Sequence, residues 1–345
     1  MPHHAQDLRE LVSSINAQHL KETVRAIYFS AQEQSLSFNQ QALSLPSNAT
    51  ANWRIALIGK TLQVDHLLNV LTLLEARNLD IDFIGLQELS QLDGIKTQCW
   101  AICLADRTPP DPALVDSIRS LELADTDVAC LPPRKPESNI KLACFDMDST
   151  LIETEVINEL ADAAGVGQQV AEITERAMQG ELDFKASLNQ RVAQLKDLSA
   201  DVMAEIAIKL PVMPGASTLT NSLAKMNIDS TILSGGFDYF AEHLASKIGI
   251  NHYFANKLEI KNNQLTGKVL PPIMDAEAKR DHLLELADAR GLSPSQVLAV
   301  GDGANDLLML NAAGIGVAYK AKPIVSAAAR YSISENDLSA VLYLL

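Results

Sequence analysis

Two aspartates, Asp146 and Asp148, close an apolar run that begins after Lys141, and their spacing puts both carboxylates on one side of the chain. A run of this kind reads as a buried strand whose side chains alternate between faces, so Met147 points away from the pair. Two carboxylates side by side at a strand end repel each other. They persist where a cation sits between them, or where one of them keeps a proton. Either way the position suits chemistry on an anion, with a metal ion as intermediary.

Three more features fall at expected strand ends or helix starts. Ser234-Gly235-Gly236 follows an apolar pair, and a hydroxyl followed by glycine lets backbone N–H groups close on a phosphate oxygen. Gly301-Asp302-Gly303-Ala304-Asn305-Asp306 combines a tight turn with two carboxylates that can reach a hard cation. Lys279 opens a helical stretch and offers a compact point charge for a phosphoryl oxygen. Singly, each has an ordinary structural reading: a helix cap, a turn, a solvated lysine. Their order at successive strand ends argues for one site. Between the first and second features, Phe184, Leu188, Val192 and Leu195 make an apolar helical stripe, with Arg191 at its border. A charge there needs an anionic partner. Glu155, just past the first motif, is placed to meet a cation. A carboxylate for an ammonium and an arginine for a carboxylate form the recognition set of an amino acid.

The elements that must position these residues follow from the pattern. Strands are expected at 140–145, 230–233, 297–300 and 315–317, with helical stretches between them such as 283–290. Alternation of this kind implies a parallel sheet with helices on both faces and a ligand site beyond the carboxyl ends of the strands. Residues 155–210 break the alternation, being helical throughout, and would form a lid above that edge. Upstream, the order is strand 53–58, helix near 67–74, strands 81–89 and 99–105, helix 113–121 and strand 128–131. That is the split βαβ order, and it resembles the ACT-type α+β (ferredoxin-like) domains that bind amino acids. A packing or dimerisation domain fits the same pattern. Residues 1–50 are polar and irregular, with a helix-like patch at 8–15. The proline-rich segment 132–138 is a linker, so the expected domains are 1–135 and 136–345.

Composition limits the function. The 345 residues allow two domains, and the net charge of −15 disfavours nucleic acid and anionic membranes as partners. No apolar run is long enough to span a bilayer, and the N-terminus lacks the pattern of a secretory signal. Cys99, Cys103, Cys130 and Cys144 form no CxxC pair and sit in or beside apolar runs, as buried thiols in a reducing cytoplasm would.

Phe145-Asp146-Met147-Asp148-Ser149-Thr150, Ser234-Gly235-Gly236, Lys279 and the 301–306 segment resemble the four motifs of the haloacid dehalogenase-like phosphatases. From about residue 140 onward the chain is similar to the members of that family that act on phosphoserine. Glu155, the 174–180 segment, Phe184 and the 191–198 segment resemble their cap. The resemblance implies a doubly wound, Rossmann-like core with a helical cap at about 155–212. It also implies Mg²⁺-dependent hydrolysis of O-phospho-L-serine, the last step of L-serine biosynthesis, by a cytoplasmic enzyme. The roles expected are Asp146 as nucleophile, Asp148 as general acid and base, and Ser234, Gly235 and Lys279 around the phosphoryl group. Mg²⁺ would be held by Asp146, the Asp148 main-chain carbonyl and Asp302, with Asp306 in support. Asn305 would orient phosphate, Glu155 take the ammonium and Arg191 the carboxylate. Met178 and Phe184 would line the lid. Thr150 would brace the first loop. A related small phosphate such as phosphohomoserine, or a sensing role led by the N-terminal domain, stays open beside this reading. So do an amino-acid ligand for that domain and a homodimer.

Overall fold

A computed structural model describes residues 3–4, 27–30, 35–38, 52–86, 89, 92–105, 108–133 and 139–345. The expected helix at 8–15 and residues 134–138 of the expected linker lie outside the described residues. The chain divides into two compact units, Met1–Asn139 with Ser332–Leu345, and Ile140–Tyr331.

The first unit contains β1 (His3–His4), β2 (Ile27–Ser30), β3 (Ser35–Phe38), β4 (Arg54–Gly59), α1 (Val64–Glu75), β5 (Asp80–Leu86), β6 (Gln98–Leu104), α2 (Pro112–Arg119) and β7 (Thr126–Leu131). Its sheet runs β3-β2-β5-β6-β4-β7, with β1 also on β5, and the pairs are antiparallel. Leu67, Val70, Leu71 and Leu74 recur at helical spacing on α1, so one face of that helix is fully buried against Ile55, Leu57, Trp100 and Ile102. Asp111 caps α2 by accepting from the Ala113 N–H, and Pro112 follows where a missing N–H costs nothing.

The chain's last segment belongs to this same unit, which a single boundary near 135 does not anticipate. The buried Asp127 carboxylate explains the attachment. Its Oδ1 accepts from the N–H groups of Ser334 (2.7 Å) and Glu335 (3.0 Å), and its Oδ2 from the Asn336 N–H (3.1 Å) and side-chain amide (2.8 Å). The same amide donates to the Ile58 carbonyl at 2.9 Å. Tyr343 donates to the Thr97 carbonyl from a short 3₁₀ helix, Leu338–Leu344, that is buried throughout.

The second unit contains β8 (Leu142–Phe145), α3 (Val156–Ala163), α4 (Gly167–Met178), α5 (Phe184–Ala193), α6 (Asp201–Lys209), α7 (Ala216–Lys225), β9 (Asp229–Phe237), α8 (Asp238–Ile248), β10 (His252–Lys261), β11 (Gln264–Leu270), α9 (Ala276–Asp288), β12 (Val297–Gly301), α10 (Leu307–Ala312), β13 (Ile315–Tyr319), α11 (Pro323–Ala328) and β14 (Tyr331–Ile333), the division between units falling inside β14. The sheet order is β11-β10-β9-β8-β12-β13-β14. Along β10-β9-β8-β12-β13 each pair is parallel, as the doubly wound reading requires. β11 departs from it by returning antiparallel beside β10. The expected strands omit this hairpin, although its signal is present: Asn262 and Asn263 sit at φ 52° and 60°, the left-handed pair a two-residue hairpin turn demands. β8 and β12 are short and fully buried, and Leu142, Cys144, Val297 and Ala299 form one cluster with Leu233 of β9. Burying each of the larger aliphatic side chains contributes about 1.5–3 kcal/mol.

Helices α3–α6 form the cap over the interval 155–210, and two crossings join it to the core. Residues 151–153 and 211–213 pair through Glu153 N–H to Pro211 O (3.0 Å) and Met213 N–H to Leu151 O (2.9 Å). At the far side, Asp197 N–H to Leu265 O, Leu265 N–H to Leu198 O and Ala200 N–H to Asn263 O, each 2.9 Å, sew the cap to the β10–β11 turn. Among the described residues no helix is long and apolar enough to cross a membrane.

Replacing Asp127 with alanine strips the acceptor from four N–H donors. The Asp127→Ala chain should lose about 3–4 kcal/mol of stability in the first unit. Urea unfolding followed by the fluorescence of Trp53 and Trp100, the chain's two tryptophans and both in that unit, reads this directly.

Candidate active site

The carboxyl ends of β8, β9 and β12 converge on one cleft, and the way β8 ends sets its floor. Asp146 still joins the sheet, its N–H donating to the Val300 carbonyl at 2.9 Å. The chain then turns on the Met147 carbonyl, which accepts from the N–H groups of Leu151 (2.8 Å) and Ile152 (3.1 Å). Met147 is fully buried, while Asp146 and Asp148 both line a cleft of about 110 Å³ with Glu155, Leu188, Arg191, Gly235, Gly236, Asp302 and Asn305. Ser149, at φ 58°, completes the turn, and its hydroxyl donates to Glu155 Oε1 at 3.0 Å.

Lys279 lies beneath the cleft, with no exposed surface. Its ammonium donates to Asp146 Oδ1 at 2.8 Å and Asp306 Oδ1 at 2.7 Å. Burial lowers its pKa, but the two carboxylates outweigh burial and hold it above the ordinary lysine value. Asp146 also accepts from the Met147 N–H at 2.8 Å, again at Oδ1. Asp306 Oδ2 accepts from the Gly303 N–H at 2.9 Å. Thr150 is fully buried, and its hydroxyl donates to Asp302 Oδ1 at 3.0 Å.

The carboxyl groups carry more negative charge than these partners offset. Burial, then the neighbouring Asp306, raises Asp146 well above the usual carboxylate range despite Lys279. Burial, then Asp306, lifts Asp302 to about 7. Burial, then Glu155, lifts Asp148 to about 8, although its Oδ1 accepts from the Val156 N–H at 2.8 Å. Oxygens of Asp146, Asp302 and Asp306 lie within 4.8 Å of one another. An all-oxygen, over-charged, buried cluster fits a hard divalent cation, which would supply the missing positive charge.

The second motif lies inside β9 rather than after it, where the pairing with β10 shifts register between Phe254 and Asn256. There the buried Ser234 hydroxyl accepts from the Gly236 N–H at 2.9 Å. A Cβ at Gly236 would lie 2.4 Å from Asp148 Oδ2 and 2.7 Å from Met147 Cε, so a larger residue would displace the Asp148 carboxylate or the end of Met147. Phe184 stands over Gly235, its ring 3.0 Å from where a Cβ would be. Arg191 projects from α5 into the cleft, and its Nε is buried without a hydrogen-bond partner. Burial lowers its pKa, opposed by Glu155 and Asp148.

Met178 is placed differently from the sequence expectation. It is the last residue of α4, 67% exposed, and is not among the residues lining the cleft. Its sulfur lies 3.9 Å from Lys322 Nζ, outside the cleft lining. Two residues the sequence reading does not single out act at the site. Asn256 is fully buried on β10; its amide donates to the Gly235 carbonyl (2.8 Å) and its oxygen accepts from the Met274 N–H (2.8 Å). It thereby fixes the β9 loop to the segment that starts α9. Asp275 caps α9 through the Ala278 N–H (2.9 Å) and pairs with Lys185 of the cap at 2.8 Å. The cap role is legible as an aspartate three residues before Ala278 at a helix start. The role of Asn256 is not, because a polar residue in a polar hairpin carries no local mark.

Residues 140–314 match the model of the haloacid dehalogenase-like hydrolase family. A phosphoserine phosphatase of Archaeoglobus fulgidus is 42% identical over 220 residues, 64% of this chain and 64% of its own length. One of Vibrio cholerae is 45% identical over 204 residues, 59% of this chain and 62% of its own. The chain thus spans less than two thirds of either relative. The crystal structure of a HAD family hydrolase of Salmonella enterica serovar Typhi superposes with TM-score 0.74 at 31% identity, covering 84% of this chain and 98% of that one.

Removing the Lys279 ammonium while keeping its bulk leaves two buried carboxylates facing each other. Lys279→Met should cost about 3–5 kcal/mol in urea unfolding followed by circular dichroism. Part of the loss should return on adding a divalent cation.

Proposed function

Since the chain belongs to the haloacid dehalogenase-like hydrolase family, we propose that it hydrolyses O-phospho-L-serine to L-serine and phosphate. The observation that carries this reading is the unpartnered, buried Nε of Arg191 in the same cleft as Glu155 and Asp146. A guanidinium whose buried Nε has no hydrogen-bond partner suits a substrate carboxylate, and Glu155 suits an ammonium. The relatives named above as phosphoserine phosphatases support the same substrate.

In this proposal Mg²⁺ would be held by Asp146, the Asp148 main-chain carbonyl and Asp302, with Asp306 behind them. When bound it would supply positive charge to the phosphoryl oxygens and keep the carboxylates that ligate it ionised. Lys279 and the Met147 N–H hold Asp146 by Oδ1, which leaves its other oxygen to attack phosphorus. The bond from phosphorus to the serine oxygen breaks as the bond to Asp146 forms. Asp148, held up to about 8 by burial and by Glu155, carries a proton at neutral pH and gives it to the departing oxygen. It then takes a proton from the water that attacks phosphorus, and the bond to Asp146 breaks to release phosphate. Ser234 accepts from the Gly236 N–H, so its own proton is free to donate to a phosphoryl oxygen, beside the Gly235 N–H and Lys279. Asn305 lines the cleft beside Asp302 and would orient the phosphate. Leu188, and Phe184 above Gly235, exclude water when the cap is closed.

The proposal extends to the first unit, whose β4-α1-β5-β6-α2-β7 order and β5-β6-β4-β7 pairing support an ACT-like domain with an amino-acid ligand. Pairing of two copies through that unit, and a cytoplasmic site of action, suited to four buried free thiols, complete it.

Phosphate release from L-phosphoserine, with and without Mg²⁺ and beside sugar and nucleotide phosphates, tests the reading. Fast, metal-dependent release selective for phosphoserine is expected, and Asp146→Asn should abolish it. Activity on the other esters alone would overturn the substrate assignment. Arg191→Ala should raise KM for phosphoserine by about 10–100-fold, the worth of one charge-assisted pair, but leave KM for phosphoethanolamine, which lacks the carboxylate, within about twofold. Equal effects on both would remove Arg191 from substrate recognition.

A further inference from the structure

Lys320 and Lys322 follow β13, on the carboxyl edge of the sheet where the cleft lies. Register places them: Val300 of β12 sits beside Phe145 of β8 and Val317 of β13, so Asp302 stands level with Tyr319, directly before Lys320. Adjacent strands lie about 5 Å apart, which puts this turn beside the 302–306 loop. Lys322 reaches the cap, its Nζ 3.9 Å from Met178 Sδ at the end of α4. The exposed Met178, unexplained as a lid residue, is therefore where this lysine bridges core and cap.

Both lysines are exposed, and neither forms an ion pair with a described residue. Other lysines of this unit do: Lys185 with Asp275 and Lys261 with Glu259. Lys320 stands over the Tyr319 ring at 5.6 Å, on a backbone with φ 45°, where a non-glycine residue is disfavoured. Two cations without internal counter-charges flank a cleft lined by Asp146, Asp148, Glu155 and Asp302, on a chain of net charge −15. A phosphomonoester dianion approaching this protein is repelled at long range and needs local positive potential to enter.

We propose that Lys320 and Lys322 are steering residues that draw the incoming phosphomonoester dianion to the cleft before the cap closes. They raise the rate of capture and leave the chemical step alone. The proposal rests on the phosphatase reading of the site but not on serine as the leaving group.

The test uses the full chain as wild type, Lys320→Gln, Lys322→Gln and the double variant, with Lys225→Gln as control. Lys225 ends α7, the helix that leads to the opposite, amino end of β9. Steady-state rates are measured on L-phosphoserine and on p-nitrophenyl phosphate from about 20 to about 300 mM NaCl. The double variant should lose about 5–10-fold in kcat/KM at low salt, with kcat within about twofold of wild type, and the gap should close at high salt. The control should match wild type. An unchanged kcat/KM at low salt, a deficit independent of salt, or an equal fall in kcat would each overturn the proposal. Wild type that cleaves p-nitrophenyl phosphate but not phosphoserine would overturn the substrate reading instead, and the nitrophenyl series would still decide about the lysines.

Discussion

The site depends on one buried ammonium. Lys279 has no exposed surface, yet it touches Asp146 and Asp306 at 2.8 and 2.7 Å. A buried lysine without partners would lose its proton, and buried carboxylates without a cation would gain one. Each makes the other's charge tolerable. The arrangement is nevertheless left with excess negative charge, because Asp302 and Asp148 are pushed up to about 7 and about 8 by burial and by neighbouring carboxylates. That imbalance is what a divalent cation and a phosphate ester can use together. A divalent cation would stabilise the carboxylates, and in the proposed reaction the ester would bring a dianion to that cation.

The remaining structure holds these charges in place. Asn256 ties the Gly235 carbonyl to the segment preceding α9, so the β9 loop and the Lys279 helix are fixed to each other through one side chain. Thr150 ties the loop after β8 to Asp302. The cap is fastened at its two chain crossings and along the β10–β11 turn by main-chain hydrogen bonds, which do not depend on side-chain identity. Other contacts, among them Phe184 over Gly235, Lys185 on Asp275 and Lys322 at Met178, are made by side chains. Those are weaker and more easily broken than a backbone ladder. Any opening that admits substrate would therefore start where α5 begins rather than at the crossings.

In the first unit the anchoring charge has the opposite sign. Asp127 collects four N–H donors from residues 334–336, and the apolar 3₁₀ helix after them is buried. A carboxylate satisfied by several N–H groups can be buried at little net cost. The chain's end becomes part of a core laid down near its beginning. In sequence, the second unit therefore lies between the two parts of the first.

Sequence alone determined the α/β class of the second unit and the candidate side chains for its chemistry. Both are local: buried strands show as apolar runs, and alternation puts Asp146 and Asp148 on one side of such a run with Met147 on the other. The β10–β11 hairpin was legible too, through Asn262-Asn263, but its polar strands hid it from a search for apolar runs. Tertiary structure alone decided which of those side chains share the cleft. Arg191 lines it and Met178 does not, though both lie in the last turns of cap helices, because what a side chain meets depends on where its helix packs and not on its place along that helix. Asn256 and Asp127 carry no local mark, since their partners lie far away in the chain, and long-range pairing is written in no short stretch of sequence. The pKa shifts belong to the fold for the same reason: burial and the approach of remote carboxylates, not residue type, set them.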